Sequence, residues 1–341
     1  MIDLRPRTIE EAQALLAEGG RRLAFVGGGT AMARPQNVEA ILYTGGLNRI
    51  VEYAATDQVV VAEAGVTLRA LQEELGKHGQ RLALEAPAAD RATLGGMVAA
   101  NSFGPLRTRY GSVRDLIIGV SILRADGARA KGGGKVVKTV AGFDLPKLMC
   151  GSRGTLGMMA TVTFRVHPVP EESVTVAARG LPAAGVFELV RKLRTLQLEP
   201  AAALAVRKPG GWEVALRFEG FQAGVVQQRQ KLPELEDAPA TLWDEHLAHR
   251  GPVRFGALLT RLPQIDAAFP AEVPLSWYPT LGLGFAGGAA NARAALAALG
   301  GWLVAEGDWG PPPASLPLHQ AMKARLDPDR LLAPGSFAGG I

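Results

Sequence analysis

A chain of 341 residues, 48% hydrophobic and 20% charged, is long enough for about two domains and too apolar to remain disordered. Its apolar runs are strand-length, well short of the roughly 20 residues of a membrane helix, and Met1-Ile2-Asp3-Leu4-Arg5 carries no signal-peptide h-region. One cysteine, Cys150, excludes an internal disulfide and fits a reducing, cytoplasmic compartment, while the net charge of +5 comes from scattered arginines such as Arg21, Arg49, Arg81 and Arg109, not from a nucleic-acid-binding basic run.

In chain order, residues 8–16 read as a helix capped by Thr8, with Glu10 and Glu11 in its first turn. Residues 22–26 are a strand that runs into glycines, and residues 40–43, 49–53 and 59–64 are strands. Residues 67–78 form an amphipathic helix with Thr67 as cap, Leu68, Leu71 and Leu75 as stripe and Gly79 as stop. A helix over 94–101 follows, then a strand over 116–123, a turn at Ala125-Asp126-Gly127-Ala128 and a returning strand over 129–131. Residues 141–150 read as helix and 158–166 as a buried strand. His167-Pro168-Val169-Pro170-Glu171-Glu172 marks a boundary, because two prolines and two acids follow a strand and the glycine-rich texture stops there. Beyond it, strands are expected at 174–178, 202–207, 213–218, 252–259, 281–285 and 302–306, and helices at 183–196, 221–232 and 291–299. That mixture suits an antiparallel sheet with helices on one face.

Four glycine-dense turns punctuate the first half: Val26-Gly27-Gly28-Gly29-Thr30, Thr93-Leu94-Gly95-Gly96, Gly132-Gly133-Gly134 and Gly151-Ser152-Arg153-Gly154-Thr155-Leu156-Gly157. Glycine reaches positive φ and lets amides approach a ligand with no Cβ in the way. Successive amides turned one way make an anion-binding nest. Several such turns in one domain point to a long ligand with a pyrophosphate at its middle. The first turn is not a G-x-G-x-x-G fingerprint, since Met32 occupies the third glycine position.

The order and spacing of these turns resemble the FAD-binding domain of the vanillyl-alcohol-oxidase/PCMH flavoprotein superfamily, from Arg5 to Pro170. Asp57-Gln58-Val59-Val60-Val61, Arg109-Tyr110-Gly111-Ser112-Val113-Arg114-Asp115 and Leu326-Asp327-Pro328-Asp329-Arg330 carry further parts of the match. Residues 133–149, GGKVVKTVAGFDLPKLM, resemble more narrowly the E-subunit family of bacterial glycolate oxidases; Thr139 and Phe143 depart from its usual Asn and Tyr. The resemblance implies an α+β protein. Its FAD-binding domain would be two-lobed, formed by residues 1–170 with the tail 326–341 returning to it, and residues 171–325 would form a smaller antiparallel α/β cap. It implies Gly27, Gly28, Gly29, Thr30, Ala31, Thr93, Leu94, Gly95 and Gly96 against the pyrophosphate. Gly151, Gly154, Gly157 and Met158 would lie along the adenine and ribose, with Pro87, Arg109 and Gly111 completing the cofactor site. Many relatives tether FAD through a histidine in the first glycine loop. Thr30 stands there in this chain, so non-covalent FAD is expected. Implied partners are a larger FAD subunit and an iron–sulfur subunit, with a small 2-hydroxy acid such as glycolate as substrate. Peripheral attachment to the inner membrane through that complex is an open alternative to a free cytoplasmic state.

The remaining chemistry-bearing residues leave choices open. Arg109–Gly111 is read either as backbone beside the isoalloxazine or as a loop held near Arg114 and Asp115. Lys135 and Lys138 either attract anions or are solvated. His246 and His249, at i,i+3, are a metal pair, a flavin-side acid/base or, in preference to both, a solvated helix face. Cys150 reads as a buried structural thiol. The H-x-x-G-D-x-N-x-H metal string of stand-alone relatives does not occur, so no metal is expected and no catalytic base is assigned. A self-sufficient FAD-dependent 2-hydroxyacid dehydrogenase and a non-catalytic FAD-binding scaffold remain the alternatives.

Overall fold

A computed structural model describes residues 1–31, 37–135, 142–288, 290–305 and 307–341. The chain divides into two compact units, one built from residues 1–103, 111–169 and 311–341, the other from residues 104–110 and 170–310.

The first unit opens with β1 (Ile2–Leu4), α1 (Ile9–Ala17), β2 (Leu23–Val26) and β3 (Ala40–Tyr43). Thr8 is extended and its side chain accepts from the Glu11 amide at 3.1 Å, which starts α1, while Glu10 and Glu11 complement the positive helix end. The three strands pair in parallel in the order β1-β3-β2. Ile9, Ala12 and Leu16 of α1 pack on Leu23, Ala40 and Leu42. The outer edge of β2 is taken by the far end of the chain: Leu23 N donates to Leu331 O at 2.7 Å, and Ala333 N donates to Leu23 O at 2.6 Å.

The same unit continues through β4 (Ile50–Ala54), β5 (Val59–Glu63), α2 (Leu68–Gly76), β6 (Gln80–Arg81) and α3 (Leu94–Ala100). After α4 (Arg107–Tyr110), which clusters with the other unit, come α5 (Val113–Leu116), β7 (Ile117–Leu123), β8 (Arg129–Gly133), α6 (Leu145–Met149), β9 (Met158–Arg165) and β10 (His167–Pro168). An antiparallel sheet runs β4-β5-β9-β7-β8. Strand β9 serves two cores: Met158 and Ala160 join the core under the parallel strands, whereas Val162 and Phe164 pack with Val60, Leu71 and Leu94. The helix expected over 141–150 begins only at Leu145. Gly142 has φ +93°, Asp144 caps through the Lys147 amide, and Pro146 sits in the first turn, where its missing N–H is tolerated. Ala141 lies outside the described residues.

The second unit carries β11 (Glu172–Leu181), α7 (Ala183–Thr195), β12 (Ala202–Lys208), β13 (Gly211–Gly220), α8 (Gln222–Gln230), β14 (Glu236–Asp237) and α9 (Thr241–His249). It ends with β15 (Val253–Gly256), α10 (Leu262–Ala268), β16 (Leu275–Tyr278), β17 (Leu283–Ala286), α11 (Arg293–Ala298) and β18 (Trp302–Val304). The strands form one antiparallel sheet, β14-β11-β13-β12-β16-β17-β15-β18. Val186 and Leu193 of α7, Ile265 of α10 and Leu296 of α11 bury against Val214, Phe218, Phe255 and Trp277. The strand expected over 252–259 stops at Gly256, and residues 259–261 form a 3₁₀ turn instead. The chain then returns to the first unit with α12 (Leu316–Leu326). Among the described residues no helix is long and apolar enough to cross a membrane.

Candidate cofactor site

At the end of β2 the backbone enters the first glycine turn, and its course is dictated by close contacts. A Cβ on Gly27 would strike Thr93 Oγ1, and one on Gly28 would strike the Arg91 carbonyl oxygen. A Cβ on Gly95 would lie 2.7 Å from Ala64 Cβ. These glycines let three distant segments meet. Access to positive φ, one of the two expected reasons, applies to Gly29 (φ +66°) and, in the later turn, to Gly151, Gly154 and Gly157. A Cβ on Gly29 would meet no atom within 4 Å.

Accounting for the backbone amides separates the turns further. In the 93–96 turn, Leu94 N donates to Val66 O and Gly95 N to Ala64 O, both at 2.8 Å. Gly96 N donates to Thr93 Oγ1 at 3.3 Å, the cap of α3. The donors of this turn are therefore engaged within the protein. The amides of Gly28, Gly29 and Thr30 have no acceptor among the described residues. In the 151–157 turn, Gly151 N donates to Val98 O at 2.9 Å and Arg153 N to Ala99 O at 3.0 Å, while the Gly154 and Gly157 amides have no acceptor among the described residues.

Between these segments lies a cavity of about 280 Å³, near the ~300 Å³ lower end of small-ligand pockets. Its lining includes Gly27, Gly28, Gly29, Thr30, Ala31, Thr93, Gly95, Gly96, Gly154, Gly157 and Met158 of the expected set. Phe25, Ile41, Tyr43, Ala99, Ala100 and Met159 supply apolar walls that sequence reasoning did not assign. Arg153 is the single charged side chain of that lining among the described residues, and its Nη1 donates to Ala31 O at 3.2 Å, joining the first and third turns. Its place between Ser152 and Gly154, inside a quoted turn, was the signal that could have found it. Among the described residues, amides without acceptors, one cation and no carboxylate in the lining suit a diphosphate, and the apolar walls suit flat rings.

The other expected site residues lie elsewhere. Leu94 is in the core, its amide engaged. Pro87 is half-buried and does not line the cavity; neither do Gly111 and Gly151. Arg109 belongs to the second unit, where its Nη1 donates to Glu219 O at 2.7 Å. Ser112, through both N and Oγ, donates to Asp115 Oδ2 at 2.7 Å and holds the loop after Gly111. Arg114 was expected to share that task, but the serine hydroxyl and amide perform it because Asp115 stands three residues on, as in a capping box.

Sequence reasoning also missed Lys323 and Asp327, one helical turn apart on and just after α12. Lys323 Nζ donates to Thr155 O at 2.8 Å, Asp327 Oδ2 at 2.6 Å and Leu332 O at 2.7 Å. Lys323 is 5% exposed and Asp327 fully buried. Burial pushes the Lys323 ammonium below the usual lysine range, opposed by the Asp327 carboxylate.

His246 corrects another expectation. It is 8% exposed, and its Nε2 shares a 2.8 Å hydrogen bond with the buried Tyr278 hydroxyl. Burial, with the Arg250 charge acting in the same direction, pushes its pKa down to about 3. Trp243, His246 and Leu247 are the inward positions of α9, so the solvated face holds for His249 alone. Among the described residues no group of three or more His, Cys, Asp or Glu could hold a metal. Cys150 is largely buried, its Sγ donates to Pro146 O at 3.4 Å, and burial pushes the thiol up to about 12. Lys135 pairs with Glu52 at 2.5 Å; Lys138 and Thr139 lie outside the described residues.

Comparison with known proteins turns this geometry into an identity. A family described as FAD binding domain matches residues 2–132. The glycolate oxidase subunit GlcE of Escherichia coli (strain K12) is 30% identical, over 96% of this chain and 94% of its own. This chain belongs to the PCMH-type FAD-binding oxidoreductase family. Its cofactor is FAD. The PCMH-type chain is also similar to a D-lactate dehydrogenase of Archaeoglobus fulgidus, 32% identical over 80% of this chain and 68% of that one. Among solved structures, alkyldihydroxyacetonephosphate synthase shares the fold, with a TM-score of 0.73, 16% identity, and coverage of 97% of this chain and 75% of its own. The chemistry of the lining fits part of the cofactor: amides without acceptors among the described residues on two of its turns, with Arg153 beside them, suit the diphosphate, and the apolar walls suit an adjoining ring.

Proposed function

We propose that this chain is the FAD-binding subunit of a glycolate oxidase-like complex that oxidises glycolate or a related 2-hydroxy acid to the 2-oxo acid. The observation that carries the reading is the end-to-end similarity to the E. coli subunit, with 96% of one chain matched to 94% of the other. A larger FAD subunit and an iron–sulfur subunit are the partners this reading requires. Bound FAD supplies a two-electron acceptor for the oxidation. The protein's part is to hold it: amides of Gly28, Gly29 and Thr30 donate to the diphosphate, the Gly154 and Gly157 amides and Arg153 extend that cradle, and Phe25, Tyr43 and Met159 exclude water. Fixed amides need no reorganisation when they meet the anion. The lining contains neither histidine nor cysteine among the described residues, which supports dissociable FAD.

The similarity to the archaeal D-lactate dehydrogenase supports a second reading, a dehydrogenase that reduces its FAD directly from substrate. Anaerobic bleaching of the flavin by glycolate, D-lactate and L-lactate, with and without the partner subunits, separates the two. The subunit reading expects bleaching only in the assembled complex. Bleaching by the chain alone on the order of 10 per second, an ordinary enzyme rate, would establish the second reading. Absence of bleaching in both would defeat both, leaving FAD in a scaffold.

A further inference from the structure

We propose that Lys323 is a positioning residue for the cofactor: one buried ammonium ties the 151–158 turn to the segment that flanks the first glycine turn, so that both sides of the cavity keep one spacing. The proposal rests on the FAD reading of the cavity.

A buried ammonium needs a partner for each N–H, and Lys323 has three: the Thr155 carbonyl, the Leu332 carbonyl and the Asp327 carboxylate. Thr155 lies between Gly154 and Gly157, whose amides have no acceptor among the described residues. Leu332 bridges to Leu23 at the start of β2, the strand that delivers residues 27–31. Lys323 therefore contacts a cavity turn directly and reaches the opposite turn through one strand. Asp327 accepts from Leu331 N at 3.0 Å and Leu332 N at 2.8 Å in addition to Lys323, so it shares the tail side of the tie, while the Thr155 carbonyl is bonded by Lys323. The division of labour makes the two partners separable by mutation.

The experiment compares Lys323→Gln and Asp327→Asn, which break the same ion pair, by FAD dissociation constant from flavin fluorescence and by melting temperature without FAD. Both variants should lose similar thermal stability. Lys323→Gln should weaken FAD at least tenfold, whereas Asp327→Asn should stay within threefold of the parent. Lys323→Arg covers the case in which the glutamine variant does not fold: it keeps the charge and the Asp327 pair but displaces the Thr155 contact, and should weaken FAD several-fold with little change in melting. Ala99→Phe, which fills the cavity, is the control for the underlying reading. Parental FAD affinity in the Lys323 variants, or equal losses in Lys323→Gln and Asp327→Asn, would overturn the proposal while Ala99→Phe still abolished binding. Parental affinity in Ala99→Phe would overturn the cavity assignment itself and the proposal with it.

Discussion

His246 and Gly28 make opposite demands on their surroundings. The folded protein keeps the His246 ring neutral down to about pH 3, whereas an unfolded chain protonates it near its ordinary value of about 6.5. Between those values the unfolded state binds the extra proton, so stability falls as pH falls through the window. Over the whole window the loss approaches something on the order of 5 kcal/mol. His246→Gln, which can hydrogen-bond Tyr278 but does not titrate, should lose less stability than the parent between pH 7 and pH 4. Urea midpoints at the two pH values check this, and parallel declines in both proteins would refute it. Gly28 demands space. A methyl group there meets the Arg91 carbonyl, a backbone atom that no rotamer change can move. Gly28→Ala should destabilise by about 1–3 kcal/mol through overpacking and weaken FAD tenfold or more. The methyl of Gly29→Ala meets nothing within 4 Å, so only its φ of +66° is at stake, at about 1–2 kcal/mol. Equal denaturation midpoints for the parent and Gly28→Ala would show that the two loops are not in contact.

Strand β9 is the element on which the first unit turns, because it lends side chains to two cores. Phe164, fully buried on it, packs in the larger of these. Phe164→Ala should cost about 3–5 kcal/mol by transfer and cavity effects, read as a lowered denaturant midpoint; a loss under 1 kcal/mol would mean the core collapses around the gap. This strand was legible as an apolar run, as were α1 and α2 from Thr8, Thr67 and their spaced leucines. Other elements were hidden for physical reasons. Pro274 and Pro279 enclose β16, and prolines argue against a strand; its pairing with the neighbouring β17 and with β12, some seventy residues away, makes it one. Helix α12 has no apolar stripe, and its buried residue is Lys323. The glycine turns were visible as glycines, but which amides are engaged was not, since their acceptors Val66 and Ala64 lie some thirty residues away. Likewise, His246 looked like half of a solvated pair because Tyr278, which covers it, is on another element.

At the scale of the whole chain, the cavity-bearing unit is assembled from three stretches of sequence, the last of them residues 311–341. Removing that stretch takes away Lys323, Asp327 and the backbone partner on the outer edge of β2, so a chain ending at Gly310 should bind no FAD, as read by flavin absorbance of the purified protein. Stoichiometric yellow protein from that truncation would show that the tail is dispensable to the cavity. For the full chain, acid precipitation should release all flavin to the supernatant; colour retained in the pellet would indicate a covalent tether.

The pairing of Leu23 with Leu332 also sets a timetable for biogenesis. The strand that opens the cavity leaves the ribosome about 300 residues before the segment that closes its edge. At about 5–20 residues per second, that is an interval on the order of 15–60 s. Throughout it the nascent β2 presents unsatisfied backbone groups of the kind that recruit stray strands. The cofactor cradle is therefore completed only once residues 331–333 have emerged, and a cell making this protein must shield an open sheet edge until they do.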